Sequence, residues 1–136
     1  MSEQNKQVVL DFINAMGKGD PEAAAKCIGP DTFTLARGFG KFAGVRTHDT
    51  ILATIGAFKQ LMPEGMEPDI VSVTAEGDRV AVEFIGNGKL INGEDYCNEY
   101  CMVFTLKDGK IAKVHEYFCT ILADEKLWPL IENMTL

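Results

Sequence analysis

The chain has 136 residues and a mass of 14.9 kDa, one domain's worth, enough to bury roughly 65–70% of its unfolded surface. Hydrophobic residues make up 46% and charged residues 24%, a balance that excludes intrinsic disorder, collagen-like repeats and low-complexity structure. Thirteen basic against twenty acidic residues leave a net charge of −7 with no Lys/Arg cluster longer than a pair, which excludes nucleic acid and anionic membrane surfaces as partners.

No apolar run approaches the ~18 residues that cross a bilayer, and the polar opening MSEQNKQVV holds no signal-peptide core, so the expected compartment is the cytoplasm. Val8, Val9, Phe12, Ile13 and Met16 recur at helical spacing and predict an amphipathic helix over residues 3–16, stopped by Gly17 and Gly19. Asp20-Pro21 supplies a cap and a first-turn proline for a short second helix through Cys27, ended by Gly29-Pro30. Residues 32–36 read as a short strand that runs into a Gly-rich loop, 37–44. This loop lacks both the phosphate-loop ending and a dinucleotide fingerprint, and is read as a flexible flap.

Thr47 or Asp49 can cap a third helix, whose apolar positions Ile51, Leu52, Ile55, Phe58, Leu61 and Met62 fit a period of 3.6 before Pro63 and Gly65 end it. Strand patterning follows. Residues 70–74 and 79–85 flank a Glu-Gly-Asp turn, and residues 96–106 and 111–118 flank Lys-Asp-Gly-Lys. A final helical stretch over 123–131 contains Trp128-Pro129 and is expected to break there. Helices first and a strand meander after them predict an α+β fold, helices on one face of an antiparallel sheet, with residues 1–136 forming a single domain.

Cys27, Cys97, Cys101 and Cys119 are read as buried free thiols. Four residues along a strand span roughly 13 Å, too far for Cys97 and Cys101 to form a disulfide or share a zinc ion. No metal and no cofactor is expected.

The opening FINAMGKGDPEAAAKCIGPDTFTL and the ending LKDGKIAKVHEYFCTILADEKL resemble the nuclear transport factor 2-like superfamily. They are most similar to its SnoaL-like, ketosteroid isomerase-like and limonene-epoxide hydrolase-like members. The resemblance covers nearly the whole chain and implies a cone: a strongly curved antiparallel sheet wrapped around a long helix, enclosing an apolar pocket open at one end. It also implies a homodimer joined through the outer sheet face. Alternation puts Asn98, Tyr100, Met102 and Phe104 on one face, and Val114, Glu116 and Phe118 on the corresponding face of the last strand. By resemblance to the epoxide hydrolases, that face lines the pocket. Phe12 and Met16, Phe58, Phe84, Met102, Val114 and Phe118 are then expected around an apolar ligand, with Arg37 at the mouth.

Glu116 is the leading catalytic candidate. It stands where the epoxide hydrolases carry an aspartate, and desolvation in an apolar pocket would raise its pKa into the range of a general base or acid. Asn98 and Tyr100 share its face and can donate to an oxyanion or orient water. His115 faces the other way, into the expected dimer interface; His48 lies near a helix cap, and Glu83 points outward unless a bulge near Gly86 shifts the register. The sequence also departs from its relatives. The hydrolases' arginine and second aspartate fall on Phe84 and Gly86, and their water-holding pair on Thr34 and Ala36. The isomerases' general base falls on Ala36 or Arg37, their oxyanion tyrosine on Phe12, and their protonated aspartate near Tyr100. The aspartate that often closes the SnoaL-like ending is Cys119.

The expected function is cofactor-independent acid–base catalysis, isomerase or cyclase in type, on an apolar and cyclic small molecule. The alternatives are a non-catalytic ligand-binding or dimerisation module, a hydrolase or dehydratase-type lyase on the same fold, and a nucleophilic Cys119.

Overall fold

In a computed structural model describing residues 2–132, the helical spacing of Val9, Phe12, Ile13 and Met16 becomes α1 (Ser2–Lys18), with those four side chains buried on one face. Met1 and residues 133–136 of the expected domain lie outside the described residues. Helix α2 (Pro21–Ala25) starts as its sequence predicts: Pro21 occupies the first turn and the Asp20 carboxylate accepts from the Ala23 N–H at 3.2 Å. Helix α3 (His48–Leu61) follows Thr47, whose side chain makes no capping bond. The C-terminal stretch divides into α4 (Thr120–Lys126) and α5 (Trp128–Glu132). The break falls just before Trp128 because Pro129 is tolerated only in a first turn. No helix among the described residues is long and apolar enough to cross a membrane.

Six strands form one sheet: β1 (Ile28–Ala36), β2 (Gly44–Thr47), β3 (Met66–Glu76), β4 (Arg79–Lys89), β5 (Asp95–Lys107) and β6 (Lys110–Phe118). Their spatial order is β2-β1-β6-β5-β4-β3, antiparallel except where β1 runs parallel to β6. Strand β2 is unexpected, since four residues after a Gly-rich loop carry no period long enough to read. Asp108 and Gly109, at φ 53° and 78°, make the tight β5–β6 turn, a backbone twist suited to paired strands. Register shifts interrupt the pairing between Ile28 and Phe33, Ile70 and Ser72, and Thr105 and Leu106, and such bulges bend a sheet. The curved sheet wraps α1, with α3 across β1 and β2, giving the α+β cone. Glu83 faces outward as expected and accepts from Ser72 Oγ at 2.8 Å, the nearby bulge lying on β3 rather than at Gly86.

Two expectations need correction. Of the four cysteines, all free, only Cys27 is buried; Cys101 is half-buried and Cys97 and Cys119 are exposed. Cys97 and Cys101 hold odd positions on β5, whose outward face no helix among the described residues covers, and Cys119 lies beyond the end of β6. The loop 37–44 is not a free flap either. The Lys41 backbone N–H donates to Asp124 Oδ1 at 2.9 Å, and the Phe42 ring meets Trp128 edge-on at 6.1 Å.

Helix α1 is seated against β3 by an intimate backbone contact. A Cβ added to Gly17 would lie 2.3 Å from the Met66 carbonyl oxygen, a clash with main chain that no rotamer relieves. Gly17→Ala should lower stability by about 1–3 kcal/mol, read as a reduced urea midpoint with an unchanged slope. An unaltered midpoint would mean that the helix is free to shift away from the sheet.

Candidate functional site

Between α1, α3 and the concave sheet face lies a cavity of about 100 Å³. Its wall is mostly apolar, with Phe12 and Met16 from α1, Ile55 and Phe58 from α3, and Met102 and Phe118 from β5 and β6. Glu116 and Tyr100 also line it, as strand alternation predicts. Phe84, Val114 and Asn98 are buried behind the lining, each 1% exposed or less, and Arg37 is exposed outside it. Arg37 instead acts through its main chain, its N–H donating to the Glu116 carbonyl at 2.9 Å and extending the β1–β6 pairing. With Ala36 facing inward, the next residue must point out.

Glu116 is half-buried and lines the cavity, with protein packed around its carboxyl. Desolvation raises its pKa, and the positive charge of Arg46 pulls partly the other way. Among the described residues no hydrogen bond or ion pair reaches its carboxyl. An enclosed carboxyl without a partner is rare in a structural role and common where protons move.

Beside it runs a chain of polar groups whose directions can be deduced. Asn98 Oδ1 accepts from the Glu99 N–H at 2.8 Å, and Asn98 Nδ2 donates to the Cys119 carbonyl at 3.1 Å and to Tyr96 Oη at 2.8 Å. A backbone N–H can only donate and a carbonyl can only accept, so the amide's orientation is fixed. Tyr96 Oη, receiving the amide proton, is free to donate its own to Tyr100 Oη, 3.0 Å away. With Tyr96 as donor, the Tyr100 hydroxyl proton points to the cavity wall, where the acceptor it meets among the described residues is the weak one of Met66 Sδ at 3.9 Å. Burial above all raises the Tyr100 pKa well above its ordinary value, as it raises that of Tyr96, so both phenols remain protonated donors. Phe84 stacks on Tyr100 at 4.9 Å and 8°, fixing the ring. Asn98 thus has no free donor for a ligand and sits one hydrogen bond behind the cavity wall, where it orients the tyrosines.

The sequence reading does not single out Tyr96, Arg46 or Thr34 as site residues, yet all three line the cavity. Parity could have flagged Tyr96, two residues before Asn98, and Thr34, two before the inward Ala36. Arg46 carries no such signal because its strand is invisible in the sequence. Ala123, Leu127 and Ile131 of the C-terminal helices close the cavity's remaining side together with Phe42. There Lys41 Nζ lies 5.6 Å from the Trp128 ring centroid, a cation–π contact that adds to the loop's anchoring. His115 and His48 are outside this site: the first is half-buried on the outer sheet face, and the second is 2.8 Å from Asp49 Oδ1. No three His, Cys, Asp or Glu side chains among the described residues gather where one metal ion could be held.

The profile of the SnoaL-like domain matches residues 9–114. No curated protein matches the sequence significantly. Among solved structures, Bal32a from a soil-derived mobile gene cassette superimposes with a TM-score of 0.78 at 21% identity, over 92% of this chain and 97% of that one. TerC, co-crystallised with polyporic acid, gives 0.74 at 19% identity over 90% and 97%. A protein from Jannaschia sp. CCS1, named as a SnoaL-like polyketide cyclase, gives 0.73 at 16% over 93% and 94%. At these identities the likeness is one of fold.

Because burial favours the neutral carboxyl, folded Glu116 holds its proton to higher pH than the unfolded group, which titrates near 4.5. Below that value its contribution to stability is complete; it is lost as pH rises through the folded pKa. Glu116→Gln mimics the neutral form, so its urea midpoint should match wild type at about pH 4 and exceed it at about pH 8. Equal midpoints at both would mean that the carboxyl is solvated.

Proposed function

The chain belongs to the SnoaL-like domain family, and from that membership and the cavity's chemistry we propose a cofactor-independent acid–base enzyme of isomerase or cyclase type, acting on a cyclic, largely apolar carbonyl compound. The observation that carries this reading is the pairing, in one apolar cavity, of a partnerless carboxyl with a protonated phenol that has a donor to spare. Glu116, as carboxylate, removes a proton from the carbon next to the carbonyl, and the electron pair moves onto the carbonyl oxygen. Tyr100 donates to that enolate oxygen, polarised from behind by Tyr96 and Asn98. Return of the proton to a different carbon gives the isomer; attack of the enolate carbon on a second carbonyl in the same molecule gives the ring, the alkoxide so formed taking back the proton that Glu116 holds. A raised pKa keeps Glu116 a stronger base than an ordinary carboxylate, which suits abstraction from carbon.

Hydrolysis is the weaker reading. At the positions where the resembling hydrolases place charged and water-holding groups, this chain has Phe84, Gly86, Thr34 and Ala36. Met66 lies over Gly86, where an added Cβ would sit 2.5 Å from its sulfur. Fold neighbours named as a cyclase and as crystallised with a small acid support a small cyclic ligand.

The test is deuterium exchange. Wild type in D2O should catalyse incorporation next to the carbonyl across a panel of monocyclic ketones and diketones, followed by NMR. Glu116→Gln should reduce the rate by roughly 10²–10⁴-fold and Tyr100→Phe by about 10²-fold, with both variants folded. Exchange untouched by Glu116→Gln ends the proposal, and ligand binding without exchange makes the protein a carrier.

We further propose a homodimer through the outer sheet face. Leu35, His115, Val103 and Ala81 lie in one row across four strands there, and Tyr117 is 44% exposed beside them. Partial desolvation lowers the His115 pKa, with Lys113, Arg37 and Arg79 adding to the effect, so the face stays free of imidazolium charge near neutrality. Val103→Arg should convert a sedimenting dimer to a monomer; a wild type that sediments as a monomer would overturn this.

A further inference from the structure

We propose that Thr34 and Arg46 form an anion-anchoring subsite at one end of the cavity, so that the ligand is a compact ring compound carrying one ionised oxygen. The proposal rests on the reading of the cavity as a ligand site and adds the class of ligand it takes.

Thr34 Oγ1 is the buried side-chain polar atom that finds no hydrogen-bond partner among the described residues, although the residue is only 3% exposed. A valine would have the same shape without a stranded hydroxyl, so the group is suited to something that enters the cavity. Arg46 is its direct cross-strand neighbour: Thr34 and Arg46 face each other across the β1–β2 pair, and both line the cavity. Side chains so paired stand about 4.5–5.5 Å apart at Cβ. One guanidinium N–H is committed, donating from Nη2 to the Phe42 carbonyl at 2.9 Å, which holds the group in place. The ion pairs among the described residues are Lys6–Glu3, His48–Asp49, Lys89–Asp95 and Lys126–Glu94, so no carboxylate claims Arg46. A fixed guanidinium with spare donors beside an unused hydroxyl is a set that recognises an anionic oxygen.

Glu116 lies one inward step along β6 from Val114, which pairs with Thr34 on the side away from Arg46, a rise of about 6.6 Å. The titratable groups lining the cavity are Arg46 from β2, Tyr96 and Tyr100 from β5, and Glu116 from β6. A volume of about 100 Å³, smaller than an engineered cavity of about 150 Å³ that accepts benzene, limits the ligand to no more than a single ring.

Calorimetric titration of the full chain with benzoate and with its neutral isostere benzamide tests this. Wild type should bind benzoate about tenfold more tightly than benzamide. Arg46→Met should abolish the preference while leaving benzamide affinity in place, Arg46→Lys should keep part of it, and Thr34→Val should weaken benzoate several-fold. Equal wild-type affinities, or a preference that survives Arg46→Met, overturn the subsite while the cavity reading stands. If benzamide, benzoate and toluene all fail to bind, the cavity reading fails and the subsite with it.

Discussion

A carboxyl group held away from bulk water opposes folding unless something else holds the chain around it. Here the restraint is geometric. Bulges bend the sheet around α1, α1 is pressed onto β3 where Gly17 meets the Met66 carbonyl, and the hollow left between them is too deep for the lining side chains to fill. Glu116 points into that hollow because its β6 neighbours on the same face, Val114 and Phe118, are drawn inward by their apolarity, and alternation carries the carboxyl with them. Its electrostatic state then follows from that enclosure: desolvation raises its pKa and the charge of Arg46 offsets part of the rise.

The tyrosine chain solves the opposite problem. Two phenols and an amide buried together would leave protons without acceptors, and the backbone groups at Glu99 and Cys119 settle the ordering by allowing the amide one orientation. Every donor back to Asn98 is then committed, and the surplus appears at Tyr100, at the cavity wall. Polar satisfaction of the core and presentation of a donor to a ligand are one arrangement.

Period-two alternation on β5 and on β6 beyond the bulge near their turn made the inward set readable from sequence, because both strands run long past that interruption. Glu116, Tyr100, Met102 and Phe118 were legible for that reason, and Phe12, Met16 and Phe58 because helical spacing faces them toward the sheet. Asn98 was legible in position but not in role, since its bonds run to backbone groups that only folding brings near. Arg37 and Arg46 mark the boundary of the method. Both flank the same Gly-rich loop, and which of them reaches the cavity depends on a four-residue strand pairing back onto β1, a contact absent from local pattern. Cys97 and Cys101 were misjudged because they hold the sheet's outer face, which no helix among the described residues covers, and Cys119 because it falls beyond the end of β6.

The closure of the cavity draws on two segments remote in sequence, the 37–44 loop and the C-terminal helices, which meet at Phe42, Trp128, Lys41 and Asp124. Neither segment carries the carboxyl or the phenols. The groups that close the cavity are therefore encoded apart from those that furnish its polar wall, so substitutions in the loop and the C-terminal helices can reshape the enclosure while leaving the carboxyl and the phenols in place.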